Sequence, residues 1–187
     1  ARVLVTHGMT RNAWNRYAKG GSWKYDIEYP GFKYNMSDIQ AALGIKQLEK
    51  LDAMQKRREE IASMYNDAFK NNTALEIPKI AESTTTHSWH LYIIRLREGK
   101  LSIDRDTFIQ ELNARNIGTS VHFIPVHLMS TYRKSFDYKP GDLPVAEQWF
   151  KNIISLPLYP TMTDDNVYSV IEAVKEITDS FRIGAIA

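Results

Sequence analysis

The feature that most constrains this chain is a long amphipathic pattern that begins directly after residue 37. Ser37 and Gln40 have the spacing of a capping box, in which the serine hydroxyl accepts the glutamine amide and the glutamine side chain bonds back. Over residues 39–69, apolar side chains recur mostly at steps of three and four. The pattern predicts a helix over about residues 38–71, bent or broken near Gly44.

The remainder of the chain alternates short strand patterns with helical ones, separated by turns rich in proline and glycine. Such alternation predicts an α/β layer, in which helices cover a small sheet of about three strands. The expected strands are residues 89–96, 119–124 and 155–158. The expected helices are one capped by Asp104 that ends at Asn116, residues 129–135, residues 144–153 and a last one capped by Thr163.

Composition places the chain among ordinary globular proteins. Its 187 residues amount to about one domain, and 43% hydrophobic with 25% charged residues argue against wholesale disorder. The absence of cysteine excludes a disulfide framework, thiolate metal ligands and a cysteine nucleophile. Since no apolar run approaches the roughly 20 residues that span a bilayer, we expect a soluble, cytoplasmic protein with no membrane partner.

Positive charge is concentrated near the start of the chain. Residues 1–36 hold six basic and two acidic residues among seven interleaved Trp, Tyr and Phe side chains. This segment could bind an anionic, partly planar ligand, nucleic acid included, or it could be a solvated connector, and charge alone favours the connector. Because the whole chain carries only +2, we expect no nucleic-acid partner.

Several common functional motifs are missing from the sequence. It contains no GxGxxG, P-loop, HExxH or GxSxG pattern, and residues 20–22 (GGS) are a turn or, less often, a phosphate loop. The pairs His87 and His90, and His122 and His127, lack the spacing of a metal site, so we expect no metal. No lysine has an evident environment that would lower its pKa.

Six blocks spread over nearly the whole chain form a family pattern. They are HGMTR at 7–11, GFKYNMSDIQAALG at 31–44, QLEKL at 47–51 followed by Arg57 and Arg58, SWHL at 88–91, GTSVHFIPVH at 118–127 and SLPLYPTMT at 155–163. In order and in register, these blocks resemble the DegT/StrS-type sugar aminotransferases, which are pyridoxal-phosphate (PLP) enzymes of fold type I.

The resemblance implies transfer of an amino group from L-glutamate to a keto sugar linked to a nucleotide, for surface polysaccharide, glycan or antibiotic sugars. Residues 1–36 would be the end of the large PLP-binding domain and its connecting loop. Residues 37–187 would be the long helix and the small C-terminal domain. The Schiff-base lysine of the family lies upstream of these blocks, so we expect no catalytic residue in this chain and no activity from it alone.

Site residues carry over from the resemblance by motif position. In this family the active site lies at a homodimer interface, and Asn35 would donate its amide to the PLP phosphate of the neighbouring subunit; the alternative is a local role in the turn before the helix. Trp89 is expected in the core of the small domain. The candidates for contact with the nucleotide-linked sugar are His122, His127, Tyr34, Arg11 and Lys24.

Two other functions remain open at the level of sequence. Some relatives of this family are PLP-dependent sugar dehydratases, in which a histidine replaces the lysine, and the residue that distinguishes them lies upstream of the matched blocks. The other function is non-catalytic: a small domain that serves binding or assembly.

Overall fold

The computed structural model describes residues 3–9, 25–81 and 86–184. It confirms the expected fold class, a mixed arrangement of helices with a small three-stranded sheet. Within the described residues, no helix is long and apolar enough to cross a membrane. The helices are α1 (Asp38–Leu48), α2 (Leu51–Phe69), α3 (Arg105–Ala114), a 3-10 turn (Val126–Leu128), α4 (Ser130–Phe136), α5 (Pro144–Asn152) and α6 (Asp164–Ser180), and the strands are β1 (Leu75–Glu76), β2 (Tyr92–Leu96) and β3 (Ile153–Leu156).

The chain divides into two compact units, residues 1–51 and residues 52–187. In the first unit, isolated antiparallel bridges join Thr6 to Lys33 and Met9 to Ile27. Gly8 is buried there with φ +76°, and a side chain at this position would overlap the Tyr29 carbonyl. Helix α1 belongs to this unit, and none of its residues is buried.

The helical region predicted over residues 38–71 is present as two helices, and only the expected place of the break is wrong. The expected capping box is present: Ser37 Oγ accepts the Gln40 amide at 3.4 Å, and the Ser37 amide donates to Gln40 Oε1 at 2.9 Å. The interruption falls at residues 49–50 rather than at Gly44. There the Lys50 amide donates to the Gln47 carbonyl three residues back, which tightens the last turn and ends α1.

The predicted strand over residues 119–124 is also wrong. This segment makes only an isolated bridge, in which Ser120 and Ser155 exchange backbone hydrogen bonds of 3.2 and 2.8 Å. The third strand of the sheet is β1, whose two residues lie between the helix expected to end near residue 71 and the strand expected from residue 89. Strand β2 begins at Tyr92 rather than at residue 89, since Trp89 adopts a positive φ of 45°.

The sheet is antiparallel in the order β1-β2-β3 and uses its two faces differently. Along β2, Tyr92, Ile94 and Leu96 are buried, while Ile93 and Arg95 are only partly buried. The buried face belongs to a core to which α2, α3 and α6 contribute their apolar stripes, and Trp89 is buried in the same core, as expected. The opposite face of the sheet is therefore free to form the wall of a site.

Candidate functional site

A cavity of about 780 Å³ lies over the less buried face of the sheet. Its volume is in the range of sites for small molecules. Ile93 and Arg95 reach it from β2 because side chains alternate along a strand, and Trp149 and Phe150 reach it from α5. Its remaining lining residues are Glu76, Ile77, Pro78, Lys79, His87, Leu91, His122, Phe123, Pro125, Ala146 and Ile153.

Arg95 is held in place on the floor of this cavity. One of its terminal nitrogens donates to Glu76 Oε2 at 3.1 Å, and its guanidinium carbon lies 4.7 Å from the centre of the Trp149 ring. The site therefore combines apolar and aromatic walls with a fixed positive charge. Sequence reasoning missed Arg95 and Trp149; the one available signal was the alternation along β2, which places Arg95 opposite the core.

His122, which the sequence singled out, lies in the wall of this cavity. It also lines a smaller neighbouring cavity of about 240 Å³, together with His90 and Ser155. Its Nδ1 atom lies 2.8 Å from Oγ of Ser155 on β3. An imidazole held by one nitrogen keeps the other available for a ligand, so His122 is suited to hydrogen bonding within the cavity.

His127 occupies a different environment from His122. It is 4% exposed, and its Nε2 atom lies 2.9 Å from Oε1 of Glu147 on α5. The same carboxylate oxygen accepts the Gly141 amide at 2.7 Å. The bonds from His127 and then from Gly141 hold the pKa of Glu147 below its ordinary value. His127 is not among the lining residues of the large cavity, and its contact with Glu147 ties the 3-10 turn to α5.

The remaining histidines of this unit, His87 and His90, line one cavity each. His87 lines the large cavity, and its Nδ1 accepts the Trp89 amide at 3.0 Å. His90 lines the smaller cavity. Within the described ranges, no group of three or more His, Asp or Glu side chains is arranged to hold a metal ion.

The candidates near the start of the chain belong to the first unit. Tyr34 is 71% exposed and stacks on Phe32 with ring centres 5.1 Å apart. Asn35 is exposed, and its side chain makes no hydrogen bond to any described residue. Its amide is therefore available to an anion. Arg11, Lys24 and the glycine pair within residues 20–22 lie outside the described residues.

The described residues provide one of two groups that PLP binding requires, a donor suited to the phosphate, but not a lysine suited to bond the aldehyde. A lysine that bonds the cofactor aldehyde requires surroundings that lower its pKa, usually by desolvation. Every lysine in the part of the chain that the structure describes is exposed, so none of these has that environment. The free amide of Asn35, in contrast, fits a donor to the cofactor phosphate.

Comparison with known proteins adds to this geometry. Residues 1–175 match the DegT/DnrJ/EryC1/StrS aminotransferase family. The spore coat polysaccharide biosynthesis protein SpsC of Bacillus subtilis is 52% identical over 177 residues, which are 94% of this chain and 45% of SpsC.

Several solved structures are similar over almost all of this chain, among them PseC and Spr1654. PseC of Helicobacter pylori, an aminotransferase involved in the biosynthesis of pseudoaminic acid, is 26% identical with a TM-score of 0.76, covering 96% of this chain and 45% of that one. Spr1654 of Streptococcus pneumoniae, in its PLP form, is 33% identical with a TM-score of 0.72, covering 96% and 42%. The chain thus spans less than half the length of each of these relatives.

Proposed function

We propose, since this chain belongs to the DegT/DnrJ/EryC1/StrS aminotransferase family, that it is the C-terminal part of an enzyme that transfers an amino group from L-glutamate to a nucleotide-linked keto sugar. The observation that carries the proposal is the family match over residues 1–175, supported by 52% identity to SpsC. The match to an aminotransferase family and the similarity to the aminotransferase PseC favour amino transfer over dehydration.

In this proposal the chain supplies walls and contacts rather than the reacting lysine. PLP, when bound, takes up the electrons released as a substrate carbon loses its proton. His122 hydrogen bonds the sugar part of a substrate from the cavity wall. Tyr34, Arg11 and Lys24 are the proposed candidates for contact with a nucleotide part. His127 acts from the interior, by holding α5 through Glu147. Positioning of this kind accelerates a reaction by fixing the reacting groups in place.

Asn35 donates its amide to the PLP phosphate of the neighbouring subunit in a cytoplasmic homodimer. The variant Asn35→Ala, made in the complete enzyme, should lower the fraction of PLP retained after gel filtration and leave the melting temperature of the cofactor-free enzyme unchanged. Asn113→Ala is a matched control, because Asn113 is an exposed asparagine on α3. Loss of thermal stability with normal PLP retention would instead assign Asn35 to the turn that precedes α1.

The reaction itself is tested by following nitrogen. The complete enzyme is incubated with PLP, L-glutamate labelled with ¹⁵N and nucleotide-linked keto sugars. The proposal expects ¹⁵N on a sugar carbon and an equal amount of 2-oxoglutarate. Loss of water from the sugar without ¹⁵N incorporation would identify a dehydratase, and no reaction with any keto sugar while PLP is bound would support a binding or assembly role.

A further inference from the structure

Ser155 anchors His122 in two ways. Its hydroxyl oxygen lies 2.8 Å from Nδ1 of the imidazole. Its backbone also exchanges two hydrogen bonds with Ser120, which fixes the chain two residues before His122. Ser155 lies on β3 and is 4% exposed, so solvent has little access to its hydroxyl. The same buried residue therefore sets both the backbone position and the ring contact of His122.

The direction of the side-chain bond follows from the needs of the buried hydroxyl. A serine hydroxyl carries one proton to donate, and a neutral imidazole has one bare nitrogen and one N–H. Among the described residues, the imidazole is the only side-chain partner of Ser155. If Nδ1–H donated to Oγ, the serine proton would have no acceptor among the described residues, and a polar group left unpaired at 4% exposure is destabilising. If Oγ–H donates to a bare Nδ1, both groups are satisfied.

We propose that Ser155 is a positioning residue that holds neutral His122 in the tautomer protonated at Nε2. With Nδ1 taken by Ser155, the group that His122 offers to the cavities is an N–H donor. It selects an acceptor oxygen of the ligand, such as a sugar hydroxyl or a phosphate oxygen, and disfavours an ammonium or amide donor. Only the identity of that ligand rests on the proposed function; the tautomer depends on the Ser155 contact alone.

Nuclear magnetic resonance of this chain, labelled with ¹⁵N at histidine, reads the tautomer directly. The spectrum is recorded near pH 8.5, well above the ordinary histidine pKa of about 6.5, and His122→Gln identifies the His122 signals by their loss. We expect Nδ1 at the shift of a bare, hydrogen-bonded nitrogen and Nε2 at that of a protonated one. A protonated Nδ1 in the unmodified chain overturns the proposal, whatever happens to the variants.

Two variants at Ser155 distinguish the effect of its hydroxyl on the His122 tautomer from an effect on folding. Ser155→Ala should convert the single His122 tautomer into a mixture, and Ser155→Thr, which keeps the hydroxyl, should restore it. Ser120→Ala is the matched control, because Ser120 keeps its backbone bonds to Ser155 in this variant. It should leave the His122 signals unchanged. A folded Ser155→Ala chain with an unshifted tautomer overturns the proposal, since a purely structural serine would give that result.

This experiment fails or succeeds independently of the proposed enzyme activity, since it needs neither PLP nor sugar. A confirmed tautomer with no effect of His122→Gln on the KM for the nucleotide-linked sugar contradicts the proposed substrate contact alone. The wrong tautomer, in an enzyme that does transfer ¹⁵N to the sugar, contradicts the role of Ser155 alone.

Discussion

Helices α1 and α3 are nearly equal in length, 11 and 10 residues, yet they are stabilised by different means. Each begins at a side-chain cap, Ser37 for α1 and Asp104 for α3. Helix α3 buries Phe108 and Leu112 in the core, whereas α1 buries nothing, and its Ile39 is 77% exposed. A cap defines where a helix begins, but isolated helices of this length are marginal in water without tertiary packing.

The comparison extends to the units that contain these helices. In residues 52–187 apolar side chains of the helices and strands are buried together in a core. In residues 1–51 the apolar side chains of α1, among them Leu43 and Leu48, remain exposed. We therefore expect substitutions in residues 52–187 to change the free energy of unfolding of this chain. Substitutions in residues 1–51 should mainly change the helix content of α1.

The largest expected difference comes from the same substitution made in both helices. Leu112→Ala removes a side chain with 0% exposure and should lower the free energy of unfolding by about 2–5 kcal/mol, because it leaves a cavity. Leu43→Ala, at a position 62% exposed, should change it by less than about 0.5 kcal/mol. Urea unfolding followed by fluorescence measures both values. Equal losses for the two variants would show that α1 is packed in solution.

Removal of a helix cap should give a smaller difference in global stability between the two units. Thr163 and Ser37 both cap their helices through a capping box. Because α6 is packed in the core, Thr163→Ala should cost about 1 kcal/mol of global stability. Ser37→Ala should leave the global transition in place and accelerate amide exchange within α1. A shift of the main unfolding midpoint by Ser37→Ala would contradict this division.

The contact between Glu147 and His127 should appear as a pH effect. Since the pKa of folded Glu147 lies below its ordinary value of 4.5, its stabilisation is complete above that value and is lost as the pH falls through the lowered pKa. The unmodified chain should therefore lose more stability between pH 6 and pH 3 than Glu147→Gln does. Urea midpoints across this range measure the difference, and parallel curves would exclude the contribution of Glu147.

The smallest effect is expected at the exposed ion pair of α1. Lys46 Nζ lies 2.9 Å from Glu49 Oε1, with both side chains largely exposed. Lys46→Ala should therefore weaken α1 by no more than about 0.5 kcal/mol, and high salt should screen the effect. Amide exchange of α1 at low and high salt tests it. A salt-independent loss would indicate a packing role for the lysine stem instead.

The sequence predicted those features of the fold that depend on neighbouring residues. The caps at Ser37, Asp104 and Thr163 are confirmed, because a cap needs only a side chain and an amide two or three residues away. The strand expected over residues 119–124 failed because a strand needs a partner along its length, and this segment pairs with the outer edge of β3 only at Ser120 and Ser155. Strand β1, with two residues, is too short to show alternation.

In the candidate site, too, the sequence predicted what depends on local motifs and missed what depends on contacts between distant residues. His122 was found through its motif, and the structure places it at the cavity wall. Arg95 and Trp149 were missed because they meet only after β2 and α5 pack together. The burial of His127 depends on Glu147, 20 residues further along the chain, and no local pattern indicates that pairing.

The proposed function requires that this chain supply contacts to a PLP enzyme but not the lysine that bonds PLP. Borohydride reduction of the chain in the presence of PLP, followed by peptide mass spectrometry, tests this claim most directly. We expect no stoichiometric adduct at any single lysine, with at most scattered labelling of exposed side chains. One lysine modified to completion, while the others remain free, would contradict it.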